Sequence, residues 1–255
     1  MYNKSRIKLL LTAMLIVLMG FQMASCSGQQ PAKKRTQTGV MDNPKFHVQR
    51  GDEALLSKQY SSARISFKKA LELNPDYSQA LSGIAAASAY EVALPGTPLR
   101  NKQAVLEDAE EKLKKALKTA KDDKEKARVH NFAIQVYFSL QLPEDDWTEK
   151  VADHFEDAIE LTPSDPAPYY FMGMAEARQL NYAEANKMFQ EVLTLDKAYT
   201  TEASRELEKI QKIQLAAPGS KFGAKIAYVE KITRADVAAL FIAELRLDRL
   251  YKKDA

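Results

Sequence analysis

The chain is poor in the residues that build disulfides, zinc clusters and tight turns. Its 255 residues include one Cys, nine Gly and ten Pro. One thiol cannot form an intramolecular disulfide or a Cys-based zinc site, and so few turn residues cannot punctuate the many short strands of a β-sandwich or barrel. With 45% hydrophobic and 28% charged residues, the composition is that of a globular protein rather than a disordered or polytopic membrane protein. These features predict an all-α fold.

A strong positive charge is also missing from the part expected to fold. The formal net charge is +3, and Lys4, Arg6 and Lys8 account for all of it. Residues 26–43 carry +2, which leaves −2 for residues 44–255. Nucleic-acid binding depends on a basic surface that displaces counterions from phosphates. We therefore predict no nucleic-acid partner.

Residues 1–25 have the pattern of a secretory signal peptide. Three cations precede an apolar run over residues 9–19, which is shorter than the roughly 20 apolar residues of a membrane span. The segment ends in Met23, Ala24 and Ser25, directly before Cys26. It resembles the signal of bacterial lipoproteins, in which an aliphatic residue and two small residues precede the lipidated Cys.

The resemblance implies that cleavage leaves Cys26 as an acylated N-terminus held in the lipid bilayer. Ser27 stands where lipoproteins retained at the inner membrane often have Asp, which implies a cell-envelope location at the outer membrane, facing the periplasm. The alternative is a plain signal peptide or an uncleaved anchor. Residues 26–43 have almost no apolar content and are expected to form a flexible tether.

Two stretches of the chain share one spacing pattern of small and aromatic residues. The intervals 9, 3, 4, 3 and 5 occur in both. The residues are Gly51, Tyr60, Ala63, Phe67, Ala70 and Pro75 in one stretch, and Gly173, Tyr182, Ala185, Phe189, Val192 and Lys197 in the other. Small residues at such intervals allow two helices to approach closely, with the aromatic ring between them. A helical bundle without repeats is the alternative.

The pattern resembles the tetratricopeptide repeat family, whose unit is a 34-residue helix hairpin. Two further units are expected between the two copies, with first helices near 77–92 and 127–138 and insertions near 93–103 and 139–146. The resemblance implies a helix-hairpin solenoid of about four repeats over residues 44–198. A helix over 199–217, with a narrow apolar stripe of Leu207, Ile210 and Ile213, is predicted to cap the solenoid.

In this family the first helices line a groove that receives a peptide or a partner helix. Matching the register to the family implies nine groove-facing residues: Lys45, Asp52, Gln79, Tyr90, His130, Tyr137, Tyr170, Met174 and Arg178. They mix aromatic and polar groups with both signs of charge. They do not form the Lys and Arg clamp that holds a terminal carboxylate.

Residues 218–255 are predicted to form a C-terminal helical segment. Thr233 and Asp236 have the spacing of a capping box. The run Ile-Thr-Arg-Ala-Asp at 232–236 is similar to the end of a surface-layer homology unit, a family that binds cell-wall polysaccharide. About half of one such unit is present. A helix that packs on the solenoid or on another chain is the alternative.

Sequence motifs of catalytic and cofactor sites are absent. The chain has no Gly-x-Ser-x-Gly elbow, phosphate-binding loop or dinucleotide fingerprint. The histidines, His47, His130 and His154, have no metal-ligand spacing, and His154 is expected at an inter-helix contact. We predict a non-enzymatic envelope scaffold, without cofactor or metal, that binds an envelope protein or peptide. The alternatives are a wall-polysaccharide adaptor and a hydrolase accessory or enzyme encoded in the insertions.

Overall fold

The computed structural model describes residues 34–229 and 232–245. The predicted signal peptide, Cys26 and the tether up to residue 33 lie outside the described residues, as do 230–231 and 246–255. The described part contains α-helices and no β-strand. In chain order the helices are α1 (Pro44–Leu56), α2 (Tyr60–Leu73), α3 (Ser78–Val92), α4 (Leu99–Thr119), α5 (Asp123–Leu140), α6 (Trp147–Leu161), α7 (Pro166–Arg178), α8 (Tyr182–Leu195), α9 (Thr200–Ala216), α10 (Lys221–Tyr228) and α11 (Arg234–Leu245).

The first eight helices form four hairpins, α1/α2, α3/α4, α5/α6 and α7/α8, whose two helices pack along each other. Each hairpin also packs on the next in chain order. Short polar side chains set several helix starts. Asn43, Asp122 and Asp165 accept hydrogen bonds from the first free amides of α1, α5 and α7, as preferred N-caps do. The predicted all-α helix-hairpin solenoid of about four repeats is confirmed.

Glycine opposite phenylalanine allows the close helix approach in the first and last hairpins. Phe67 and Phe189 are fully buried. A Cβ atom added to Gly51 would lie 2.5 Å from the Phe67 ring, and one added to Gly173 would lie 2.8 Å from the Phe189 ring. The structure adds Gly83 of α3, whose Cβ would also lie 2.5 Å from the Phe67 ring. The predicted role of these small residues is confirmed.

The two insertions differ in structure. The connection before α4 is shorter than predicted, because α4 already begins at Leu99 after its N-cap Pro98. Residues 99–103, expected in the insertion, therefore lengthen α4 to 21 residues. They contain good helix formers and no Gly or Pro, which explains why the helix starts early. The second connection, residues 141–146, lies within the predicted insertion.

The folded unit begins at Arg35, earlier than predicted. The Arg35 amide donates to the Glu72 carbonyl of α2 at 2.8 Å, and its guanidinium donates to both Asp42 carboxylate oxygens at 2.7 Å. His47 contacts the same carboxylate. Bonds from Arg35, His47 and Thr38 hold the pKa of Asp42 well below its usual range. Asp42 thus interacts with Arg35, Thr38 and His47. The Arg35–Glu72 and Asp42–His47 contacts hold residues 35–43 against the first hairpin, so this segment is not part of a free tether.

The last helices cover the end of the solenoid. Ile210 and Ile213 of α9 are buried, Leu207 is half-buried, and α9 packs on α8, so the predicted capping helix is confirmed. The predicted C-terminal helical segment contains two helices, α10 and α11. Thr233 and Asp236 exchange the hydrogen bonds of a capping box at the start of α11. No helix of the described residues has the length and apolar character that crossing a membrane requires.

Candidate partner-binding surface

One face of the stack is formed by the inner row, the first helices α1, α3, α5 and α7 of the four hairpins. Between successive hairpins of the described chain, each extensive contact includes a helix of this row, and α1 packs on α3, α3 on α5 and α5 on α7. The second helices α2, α4, α6 and α8 do not pack on one another to a similar extent. The first helices are therefore the more closely packed layer, and in a solenoid of repeats such a layer lies on the concave side.

All nine predicted groove residues lie on the inner row, but they differ in accessibility. Lys45 and Arg178 are exposed. Six others are half-buried: Asp52, Gln79, Tyr90, His130, Tyr170 and Met174. Tyr137 is 5% exposed. Most of the predicted groove is therefore occupied by contacts within the chain.

A salt bridge links the first and third hairpins across the inner row. An Arg128 nitrogen lies 2.6 Å from an Asp52 oxygen, and the Arg128 guanidinium lies 4.7 Å from the centre of the Phe132 ring. Burial raises the pKa of Asp52, against the opposing effect of Arg128. The pair connects α1 to α5, and about a third of the Asp52 side chain remains exposed.

Stacked tyrosines continue this surface. The Tyr90 ring of α3 stacks on Tyr60 with centroids 5.0 Å apart, and its hydroxyl donates to Gln135 of α5 at 3.2 Å. Tyr170 of α7 stacks on Tyr199 at 4.9 Å. Burial is the main cause that raises the pKa of Tyr90, and it raises the pKa of Tyr170 and of Tyr199 to about 12. These hydroxyls are therefore neutral donors at physiological pH.

The helix α10 covers the surface at the end formed by the fourth hairpin. The Tyr228 hydroxyl donates to Glu206 at 3.0 Å and lies 3.9 Å from the Met174 sulfur. Beside it the Arg178 guanidinium lies 4.6 Å from the centre of the Phe138 ring. Met174 is thus covered by the C-terminal segment, whereas Arg178 keeps an exposed side chain.

Two of the predicted groove residues, His130 and Tyr137, contact the second helices α4 and α6. The Tyr137 hydroxyl donates to Glu110 of α4 at 2.8 Å, and its ring stacks on His154 of α6. His130 Nδ1 lies 3.1 Å from His154 Nδ1. Burial lowers the pKa of both imidazoles, that of His154 to about 4. His130 and Tyr137 therefore lie at the contacts of α5 with α4 and α6.

The side of α5 that meets α1 and α3 carries other residues. These are Arg128 and Gln135, each two positions before a predicted one. Two residues correspond to about 200° around a helix, so His130 and Tyr137 lie on nearly the opposite side. The hydrophobic pattern of α5 does not show which side faces α1 and α3, because this helix is buried on most sides.

Three further residues of the surface were not predicted, namely Tyr60, Tyr199 and Tyr228. They lie at helix boundaries: Tyr60 is the first residue of α2, Tyr199 the N-cap of α9 in a left-handed conformation with φ 65°, and Tyr228 the last residue of α10. The family pattern assigns groove positions only to first helices. Boundary residues that fold over these helices are therefore not found by it.

The comparisons with known proteins add little to this geometry. No protein-family model matches the chain, and no curated protein matches it. The chain is similar to a solved structure from a functional characterization of PilF of Pseudomonas aeruginosa, at 18% identity and a TM-score of 0.31, over 83% of this chain and 93% of that one. At this TM-score the likeness carries no argument, so the architecture is derived from the contacts described above.

Proposed function

We propose that the protein is a non-enzymatic scaffold that binds a segment of another envelope protein along the inner row. The observation that carries the proposal is that side chains from separate units of the stack are already fixed to one another on this face. Asp52–Arg128 and Tyr90–Gln135 join hairpins, and the Tyr170–Tyr199 stack joins the fourth hairpin to the start of the capping helix. A surface ordered before binding loses little conformational freedom when a partner docks. Helix-hairpin solenoids present such surfaces to protein partners.

The partly exposed tyrosines and the exposed cations of this surface indicate which kind of partner fits it. Tyrosine rings offer large apolar area with a hydroxyl donor, a combination that is enriched at protein interfaces. Lys45 and Arg178 add exposed cations. A partner peptide with apolar or aromatic side chains and hydrogen-bond acceptors fits this surface, whereas a clamp for a terminal carboxylate is not formed.

Site-specific photo-cross-linking in whole cells tests the proposal. A cross-linking amino acid at position 178 is expected to trap a partner protein, because this side chain is exposed on the inner row. The matched control is position 114, where an exposed Lys lies on α4, a second helix. Equal cross-linking at both positions, or none at position 178, would contradict binding along the inner row.

We also propose that an acylated Cys26 anchors the protein in the outer membrane, facing the periplasm. The support is the Met-Ala-Ser-Cys sequence at 23–26 after an apolar run. More than one acyl chain gives stable membrane attachment. In Cys26→Ala the attached lipid label is expected to disappear, and membrane fractionation then reports the effect on anchoring. A mutant that still carries lipid would show that Cys26 is not the acylation site.

A wall-polysaccharide adaptor is the second candidate, supported by the capping box that Thr233 and Asp236 form at the start of α11. The exposed Phe241 and Ile242 of this helix would then contact the wall. A chain truncated after residue 231 should lose binding to purified cell wall in a pull-down. Retained binding would reject this candidate and leave the scaffold proposal untouched.

A further inference from the structure

The third hairpin brings together two histidines and an aspartate that are distant in sequence. His130 lies on α5, and His154 and Asp157 lie on α6, three residues apart and therefore on one helix face. His130 Nδ1 is 3.1 Å from His154 Nδ1 and 3.2 Å from an Asp157 carboxylate oxygen. The three donor atoms all lie within 4.8 Å of one another.

These separations match the edges of a zinc coordination tetrahedron. With Zn–N and Zn–O bonds of about 2.0–2.1 Å, two ligand atoms of a tetrahedral site are about 3.3 Å apart. The two measured separations, 3.1 Å and 3.2 Å, are close to this value. The third separation, between the His154 and Asp157 ligand atoms, lies within 4.8 Å, and rotation of the half-exposed Asp157 side chain can adjust it so that one ion contacts all three residues.

The donor set and its surroundings also suit zinc. Two imidazole nitrogens and one carboxylate oxygen are ligands that Zn²⁺ accepts in sites with an open fourth position. The His130 side chain is 12% exposed, whereas that of Asp157 is 55% exposed. The cluster is therefore enclosed on the helix side and open to water at Asp157. Tyr137 stacks on His154 and is itself held by Glu110, which fixes the imidazole orientation as supporting groups do in metal sites.

We propose that His130, His154 and Asp157 bind one Zn²⁺ ion, with a water molecule at the fourth position. The ion joins α5 to α6 and so stabilises the third hairpin, because a ligand that binds only the folded state shifts the folding equilibrium toward it. This site lies between the helices of one hairpin and is separate from the inner row, so the proposal does not depend on the scaffold function.

Titration of the full chain with ZnCl₂ tests the proposal. The protein is purified in detergent without a histidine tag and as the Cys26→Ala variant, so that its single thiol cannot bind metal. Calorimetry is expected to show one ion per chain, and Co²⁺ is expected to give the visible absorption of a four-coordinate site. Thermal unfolding should shift to higher temperature with Zn²⁺.

Variants assign the ligands. Changes outside the ligand set already reduce metal affinity roughly 10- to 100-fold, so His154→Ala should reduce it by at least that much. Asp157→Asn should weaken binding while leaving the fold intact, because this side chain is more than half exposed. His47→Ala is the matched control, since this third histidine bonds Asp42 in the first hairpin and its loss should not change the stoichiometry.

Several outcomes would overturn the proposal. They are an absence of stoichiometric Zn²⁺ binding by the parent chain, an unchanged affinity in Asp157→Asn, or an equal loss in His47→Ala. The first two measurements do not require a destabilised variant, so a folding defect of His154→Ala does not affect them.

Discussion

Gly83→Ala is predicted to lower the free energy of unfolding when Phe67 is present and to raise it when Phe67 is replaced by Ala. The fully buried Phe67 ring of α2 lies between Gly51 of α1 and Gly83 of α3. A Cβ atom on Gly83 would lie 2.5 Å from two atoms of this ring, whereas real Cβ contacts essentially never fall below 3.0 Å. The ring cannot move away, because Gly51 contacts it equally closely. Gly83→Ala must therefore separate α2 from α3.

The expected magnitudes follow from packing and helix propensity. An extra methyl group in a filled core lowers the stability of the folded state by about 1–3 kcal/mol. Ala in place of Gly inside a helix raises it by about 1 kcal/mol. Gly83→Ala should thus lower the free energy of unfolding by up to about 2 kcal/mol. Phe67→Ala should lower it by about 3–5 kcal/mol. Without the ring the clash is gone, so Gly83→Ala in the Phe67→Ala background should raise the free energy of unfolding by about 1 kcal/mol.

Chemical denaturation of the four proteins of this double-mutant cycle, followed by far-UV circular dichroism, measures the coupling. Gly39→Ala is the control, because a Cβ atom at Gly39 meets nothing within 4 Å. The reasoning is refuted if Gly83→Ala changes stability by the same amount with and without the Phe67 ring. Equal shifts would mean that the two residues do not touch in solution.

Three further predictions concern the last hairpin, a helix start and the C-terminal segment. Phe189→Ala should lower the free energy of unfolding by about 3–5 kcal/mol in the same assay, since this ring is fully buried; a loss below about 1 kcal/mol would contradict the hairpin packing. Asp122→Ala should cost about 1 kcal/mol by removing the N-cap of α5, and an unchanged denaturation midpoint would show that the cap contributes nothing. Bonds from the Ser220 hydroxyl and the Gly219 amide lower the pKa of Glu244, so this contact stabilises α11 fully above the unfolded pKa of about 4.3 and is lost as pH falls through the lower folded pKa. Hydrogen-exchange protection of α11, corrected for the intrinsic pH dependence of amide exchange, should decrease over this pH range in the parent chain, and Glu244→Gln should show no such loss of protection.

The hairpin repeat is predictable from the sequence because its signal is geometric. Gly51 and Phe67, like Gly173 and Phe189, are 16 residues apart in both copies, and this interval places them opposite each other across one hairpin. Gly83 contacts the same Phe67 ring from the next hairpin. Nothing in a single repeat specifies that contact, since it depends on how two units stack. The sequence therefore predicts packing within a hairpin better than packing between hairpins.

Two features were not predictable from local sequence patterns. They are the early start of α4 and the hydrogen-bonded segment before α1. Pro95, Gly96 and Pro98 indicate an insertion that continues into residues 99–103. The composition of residues 99–103 favours a helix. Arg35 was assigned to a tether because its neighbours are polar. Its place is set by Asp42 and Glu72, and such ion pairs have no signature in local hydrophobicity.

The groove register and the histidine pair are linked by one property of α5. Because this helix is buried on most sides, its hydrophobic pattern does not show which side faces the inner row, and the family register selected His130 and Tyr137. Both residues instead face α6, where His154 contacts them. Arg128 and Gln135, about 200° away around the helix, contact α1 and α3. The side of α5 that faces α1 and α3 is therefore opposite the side on which the two imidazoles meet.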